Sequence, residues 1–186
     1  MFSLRRPSDG DLARLLDEQK DHGALSYPNV GATAATMPDD YRHDRWDADL
    51  GPDEGDRFAR AVSALRTWAP QRGAGLRVFP GDAVSDGATF VLVIHAGISF
   101  ATAAGRVVWV SDEPDRYAFA YGTLDAHPEQ GEEAFAVVRE GGRVRFEIWA
   151  FSKPRHPLAR LAPRMTRALQ IRVTRAYLGA MRAATA

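Results

Sequence analysis

Between Arg106 and Ala150, turn-forming residues cut the chain into four short runs whose pairing can be counted out as consecutive hairpins. The breaks are Asp112-Glu113-Pro114-Asp115, residues 125–131 and Glu140-Gly141-Gly142. Counting outward from the first sets Val110 opposite Tyr117, Val108 opposite Phe119 and Arg106 opposite Tyr121. The second sets Tyr121 against Phe135 and Thr123 against Glu133. The third sets Val137 against Val144, Phe135 against Phe146 and Glu133 against Ile148. Opposed residues share a side of the sheet, and side chains alternate along each strand. One face therefore reads Val108, Val110, Tyr117, Phe119, Phe135, Val137, Val144, Phe146, Ile148 and Ala150. The other carries Trp109, Ala118, Ala120, Gly122, Glu132, Ala134, Arg143, Arg145, Glu147 and Trp149. All three turns agree on which face is apolar, and a slip of one residue would destroy that agreement.

Arg106, Tyr121, Thr123 and Glu133 gather toward one end of the apolar face in this register. Unpaired charge is costly in a low dielectric, so Arg106 and Glu133 are expected to meet each other or a ligand. Two arrangements meet that demand. One is a structural ion pair completed by the tyrosine hydroxyl; the other is the polar end of a pocket that orients a bound molecule.

The rest of the chain supplies layers for this sheet. Residues 8–20 read as a helix capped by Ser8 or Asp9, with Leu12, Leu15 and Leu16 in a stripe. Residues 23–40 form a long irregular connection, unusual enough in length to be a packed cover or a functional loop. Residues 41–49 suggest a first strand and 52–69 a second helix, with Phe58, Ala61, Val62, Leu65 and Trp68 on one side. Strands are expected at 76–79 and 88–96. Residues 163–181 repeat Met165, Leu169, Val173, Ala176, Tyr177 and Met181 at helical spacing, and Pro163 would kink the helix if 158–162 were also helical. That stripe is expected to cover the apolar sheet face. The order predicts an α+β helix-grip fold: a curved antiparallel sheet of about seven strands around a long C-terminal helix. Residues 1–186 are read as a single domain, with the N-terminal helix and irregular segment in 1–40.

Composition bounds the chemistry. There is no cysteine, which excludes disulfides, thiolate chemistry and cysteine-ligated zinc. Net charge is zero, yet no acidic residue follows Glu147, where Lys153 and seven arginines fall. Removing those eight from the 24 basic residues leaves 16 against 24 acids, a balance of about −8 in the body. The basic helix is therefore expected to lie against its own acidic domain, and no nucleic-acid partner is expected. No run approaches a membrane span and the start lacks a signal-peptide core, so a cytoplasmic location is the expectation.

Several stretches resemble uncharacterised protein family 0548, a domain-of-unknown-function family of bacteria and plants. They are Tyr27-Pro-Asn-Val-Gly-Ala-Thr33, Arg106-Val-Val-Trp-Val-Ser-Asp-Glu-Pro114, and residues 119–135 from Phe-Ala-Tyr-Gly-Thr to Glu-Glu-Ala-Phe. Phe151-Ser-Lys-Pro154 and the Leu-Ala-Arg-Leu run at 158–161 also match. The resemblance covers nearly the whole chain. It implies a fold similar to the ligand-binding START and Bet v 1-like superfamily and carries no activity with it. Ala103-Ala104 stands where the family often has a Pro-Cys pair, so any role of that thiol is absent here.

Two histidines complete the candidates. His127, with Pro128, Glu129, Glu132 and Glu133 nearby, could ligate a metal or shuttle a proton, or it could simply fix a turn. His95 ends the third strand and comes near Arg106 only if the Gly97–Gly105 connection closes that way; a lone histidine there is otherwise a satisfied edge residue. No nucleophile elbow, phosphate loop or paired-histidine metal motif is present. The leading expectation is a protein that holds a mostly apolar small molecule between sheet and closing helix, with Arg106, Tyr121, Thr123, Glu133, His95 and His127 around its polar end. Neither metal nor cofactor is expected, and self-association is left open. One alternative is an enzyme of cyclase or hydrolase type in the same cavity, with Glu133 or His127 moving a proton. The other is an interaction protein with a filled cavity and with Trp109 and Trp149 exposed for a partner.

Overall fold

The structure is a computed structural model and describes residues 2–155 and 163–186. Its strands are β1 (Phe2–Ser3), β2 (Arg42–Pro52), β3 (Arg77–Phe79), β4 (Thr89–Ala96), β5 (Ser99–Glu113), β6 (Arg116–Thr123), β7 (Glu129–Glu140) and β8 (Arg143–Pro154). The helices are α1 (Asp9–Asp21), α2 (Arg57–Arg66), α3 (Ala69–Gly73) and α4 (Pro163–Thr185), and a 3-10 turn spans Ala32–Ala34. One antiparallel sheet runs β2-β8-β7-β6-β5-β4-β3, and β1 pairs with β5 beside this path. Seven consecutive antiparallel strands with a long terminal helix make this an α+β helix-grip fold. The Leu-Ala-Arg-Leu run at 158–161, and any helical turn ahead of Pro163, lie outside the described residues.

Each hairpin of the meander is slipped by two residues from the counted pairing. Val110 stands opposite Phe119, Tyr121 opposite Glu133, and Phe135 opposite Ile148. The turns are shorter than the breaks suggested: Glu113 already pairs with Arg116, and Glu140 with Arg143 across two glycines at positive φ. Two residues are one full side-chain period, so the division into faces survives. It fails in one place. Between Val107 and Trp109, β5 carries a bulge, and Val107 takes the position opposite Tyr121. Arg106 then pairs with Gly122 and belongs to the outer face. This corrects the inward Arg106 of the sequence reading. Val108, also expected inward, packs in the outer cluster with Trp109.

That outer face is covered by the N-terminal forty residues. Ser8 caps α1 reciprocally, accepting from the Asp11 amide (3.2 Å) while its own amide donates to the Asp11 carboxylate (3.0 Å). Leu12 and Leu16 of that helix seat on Val91, Val93, Ala104 and Leu124. The Arg106 guanidinium donates to the carbonyls of Gln19 (3.0 Å) and Gly23 (3.3 Å) and to Thr89 Oγ1 (3.1 Å). It thus places positive charge on the C-terminal end of α1, beside the Gly23 amide that already donates to the Gln19 carbonyl (3.2 Å).

Glu132, only 2% exposed, organises the irregular segment. Its carboxylate accepts from the Tyr27 hydroxyl (2.8 Å), the Gly31 amide (2.8 Å), the Thr33 amide (3.0 Å) and the Thr33 hydroxyl. A Cβ at Gly122 would strike the Tyr27 ring, so that glycine is what lets Tyr27 lie flat on β6. Thr33 then takes a hydrogen bond from Trp109 Nε1 (3.0 Å) on its hydroxyl and one from Trp149 Nε1 (2.8 Å) on its carbonyl. Trp149 is buried and Trp109 half-buried, so the expectation that both stand exposed for a partner is corrected.

On the inner face, α2, α3 and the C-terminal half of α4 close the core. The helix expected at 52–69 starts later, because Pro52 still pairs with Arg143 in the sheet, and it breaks at Trp68 ahead of Pro70. Gly73 permits α3 to touch Ala180 of α4, which a side chain would prevent. Phe58, Ala61, Val62, Leu65 and Trp68 all join the main core, as the stripe predicts.

Glu132→Ala leaves four donors facing an apolar wall, and we expect it to cost about 3 kcal/mol in urea unfolding. Arg106→Ala, which only uncaps α1, should cost about 1–2 kcal/mol. Equal losses would contradict the ranking of these two anchors.

Candidate functional site: a cavity under the closing helix

The inner face changes in size along its strands. Toward one end Phe119, Phe135 and Phe146 stack in series at 5.3 and 6.4 Å, and Trp68 meets Phe119 at 5.3 Å. Toward the other end the positions between sheet and α4 hold Ala101, Thr123, Gly131 and Ala150. The first half of α4 spans this sparse end without filling it. A cavity of about 740 Å³ remains, within the range of small-molecule sites. Trp46, Leu76, Leu92, Ile94, Ile148 and Val173 supply its apolar wall.

A polar cluster closes the inner end. Tyr121 donates its hydroxyl to Glu133 Oε2. Burial pushes the Glu133 carboxyl up to about 7, against the pull of that hydrogen bond, and nearby Glu129 and Asp44 add repulsion. The Tyr121 and Tyr177 hydroxyls are held well above their ordinary range, first by burial and then by the neighbouring Glu133. Burial also raises Glu129, whose Oε1 accepts from Gln170 Nε2 of α4 at 2.6 Å. Beside it Arg167 grips Asp44 with both terminal nitrogens, at 2.7 and 2.5 Å, which holds the guanidinium protonated.

Of the sequence candidates, Tyr121, Thr123, Glu133, His95 and His127 line the cavity, and Arg106 does not. Thr123 is buried and committed: its hydroxyl accepts from the Gly131 amide (2.9 Å) and lies 2.6 Å from Ser26 Oγ. His127 Nδ1 lies 3.0 Å from both the amide and the carbonyl of Glu129, so that either tautomer of the ring is held by this turn. Burial drives its pKa down to about 4. His95 is exposed at the rim, stacked on Phe100 at 4.9 Å. Asp44, Arg167, Gln170 and Tyr177 escaped the sequence reading, because they reach the cavity from β2 and α4, elements whose register against the meander no turn count fixes. Among the described residues no group of three or more histidines and carboxylates is arranged to hold a metal ion, and no helix is long and apolar enough to cross a membrane.

The family model described as Domain of unknown function (DUF1990) matches residues 26–180. The chain belongs to that family. Its relatives include a UPF0548 protein of Deinococcus radiodurans, 34% identical over 191 residues and covering 95% of each chain. A UPF0548 protein of Dictyostelium discoideum is 29% identical, covering 91% of this chain and 89% of the relative. These relatives bear out the resemblance seen in the motifs. Among solved structures, a hypothetical protein of Helicobacter pylori aligns with a TM-score of 0.59 at 13% identity, covering 88% of this chain and 96% of that one. The Zhui aromatase/cyclase of a Streptomyces species aligns at 0.56 and 15% identity, covering 77% and 93%. At such identities the likeness is one of fold.

Glu133 and His127, both half-buried, give opposite pH signatures. Glu133, raised from 4.5 to about 7, keeps in the folded state a proton that the unfolded chain releases. Its stabilisation is complete below about pH 4.5 and is lost as pH rises through 7. His127, lowered from 6.5 to about 4, contributes fully above pH 6.5 and loses its contribution as pH falls through 4. Relative to the wild type, Glu133→Gln should therefore gain about 1–3 kcal/mol between about pH 5 and pH 8 in urea unfolding. A difference that stays constant across this range would show that Glu133 titrates normally.

Proposed function

We propose that this protein binds a mostly apolar small molecule in the cavity between the sheet and α4, with Tyr121, Glu133 and Glu129 meeting its polar end. The supporting observation is the change from aromatic to small residues along one sheet face, which leaves about 740 Å³ of largely aliphatic space ending in a few convergent polar groups. Thr123, His95 and His127 are cavity-lining residues in this reading, and Arg106 has no part in it.

One observation favours a second reading, an enzyme. A carboxyl poised near neutrality against a phenol, beside a mostly apolar cavity, is what general acid–base chemistry requires. One fold neighbour carries an aromatase/cyclase name, and proton transfer of cyclase or hydrolase type is the form this reading takes.

Binding is tested with the neutral apolar dye N-phenyl-1-naphthylamine, whose fluorescence rises in apolar surroundings. Wild type should bind it saturably. Ala150→Trp, which places a bulky ring into the cavity opposite Glu133, should weaken binding at least tenfold while keeping the wild-type circular dichroism spectrum. Unchanged dye affinity in the filled variant would place the binding elsewhere. Chemical conversion of a bound compound by wild type, abolished in Glu133→Gln, would move the protein to the enzyme reading.

A further inference from the structure

The charge around the cavity's inner end says what kind of polar group fits there. Three carboxyl groups, Asp44, Glu129 and Glu133, converge on it from β2 and β7. One guanidinium, that of Arg167, reaches it from α4 and is already consumed by its two-pronged contact with Asp44. The remaining neighbours are Tyr121, Tyr177, Gln170 and neutral His127. Arg42 and Arg172 are exposed at the edge, where water screens them. Among the described residues Glu129 and Glu133 thus face a mostly apolar cavity with one neutral donor each, Gln170 and Tyr121. Carboxyl groups in that setting are poorly solvated, and bringing in a further anion would compound the repulsion between them.

We propose that the cavity selects amphipathic molecules whose polar end is a protonated amine, and discriminates against carboxylate-ended molecules such as fatty acids. This rests on the cavity being a ligand site and adds the ligand's chemical class. An ammonium group at Glu133 or Glu129 would supply hydrogen-bond donors to a carboxylate and offset the repulsion between the two, while the alkyl part lies against Leu92, Ile94, Ile148 and Val173. Burial is the first cause of the raised proton affinity of both carboxyls, and the exposed Arg42 and the engaged Arg167 offset it only in part at Glu129. Among the described residues a fatty-acid carboxylate would meet Arg167 already held by Asp44, with Arg172 exposed to water.

The experiment compares three probes of equal chain length below their micelle concentrations: dodecylamine, dodecan-1-ol and dodecanoate. Each displaces N-phenyl-1-naphthylamine from the full chain at about pH 8. The amine should bind at least tenfold more tightly than dodecanoate, with the alcohol between them. Glu133→Gln and Glu129→Gln should each reduce that preference severalfold, while the wild-type circular dichroism spectrum and a cooperative urea transition in both show that the variants are folded. If dodecanoate binds as well as the amine, the proposed class is wrong while the cavity stands as a ligand site. The class is equally wrong if the dye binds and none of the three displaces it, or if the preference survives both substitutions. If wild type binds neither dye nor probes, the ligand-site reading falls, and this inference falls with it.

Discussion

What the architecture depends on is a mismatch of side-chain size across one sheet face. Phe119, Phe135 and Phe146, with Trp68 and Phe90, pack with Tyr177, Leu178 and Met181 of the second half of α4 in one buried core. The same strands then run on into alanine, threonine and glycine. A rigid helix cannot follow that drop, because its axis is fixed by contacts of Tyr177, Leu178 and Met181 with the packed end. The cavity is therefore a consequence of how two rigid elements meet. It needs no special loop to form it.

The outer face explains why such a sheet remains firm with a void on its other side. Most helix-facing cavities would leave the backbone of the meander with one solvated side. Here α1 and the segment through Thr33 cover it, anchored by two buried or half-buried charges of opposite sign, Arg106 and Glu132. Neither finds its partner in another ionic side chain. Arg106 is satisfied by carbonyl dipoles at a helix end, and Glu132 by hydroxyl and amide donors of one loop. Adjacent positions on β7 are thereby split between two jobs. Glu132 holds the outer cover, and Glu133, pointing the opposite way, faces the cavity.

The contrast between those neighbours shows how environment decides chemistry. Both are glutamates in the same strand. One meets four donors; the other meets a single phenol and two like charges, and its proton affinity rises to near neutrality. Arg167 pairs with Asp44 and, with Arg42, partly offsets the rise at Glu129, whereas among the described residues no cation pulls Glu133 down.

Alternation, turn residues and helical stripes were enough to establish the strands of the meander, the α1 cap, the core stripe of α2 and the closing helix. They were also enough to place Tyr121 and Glu133 inward, because a register error of two residues leaves every side chain on its original face. The bulge in β5 was beyond such reasoning, since an inserted residue has no compositional mark in Val107-Val108-Trp109, and it alone moved Arg106 across the sheet. Asp44, Gln170 and Tyr177 likewise join the site only through contacts between β2, β7 and α4, distant in sequence. Local pattern sets which face a residue occupies; which residues from other elements meet it there is decided by packing, where geometry and volume act together.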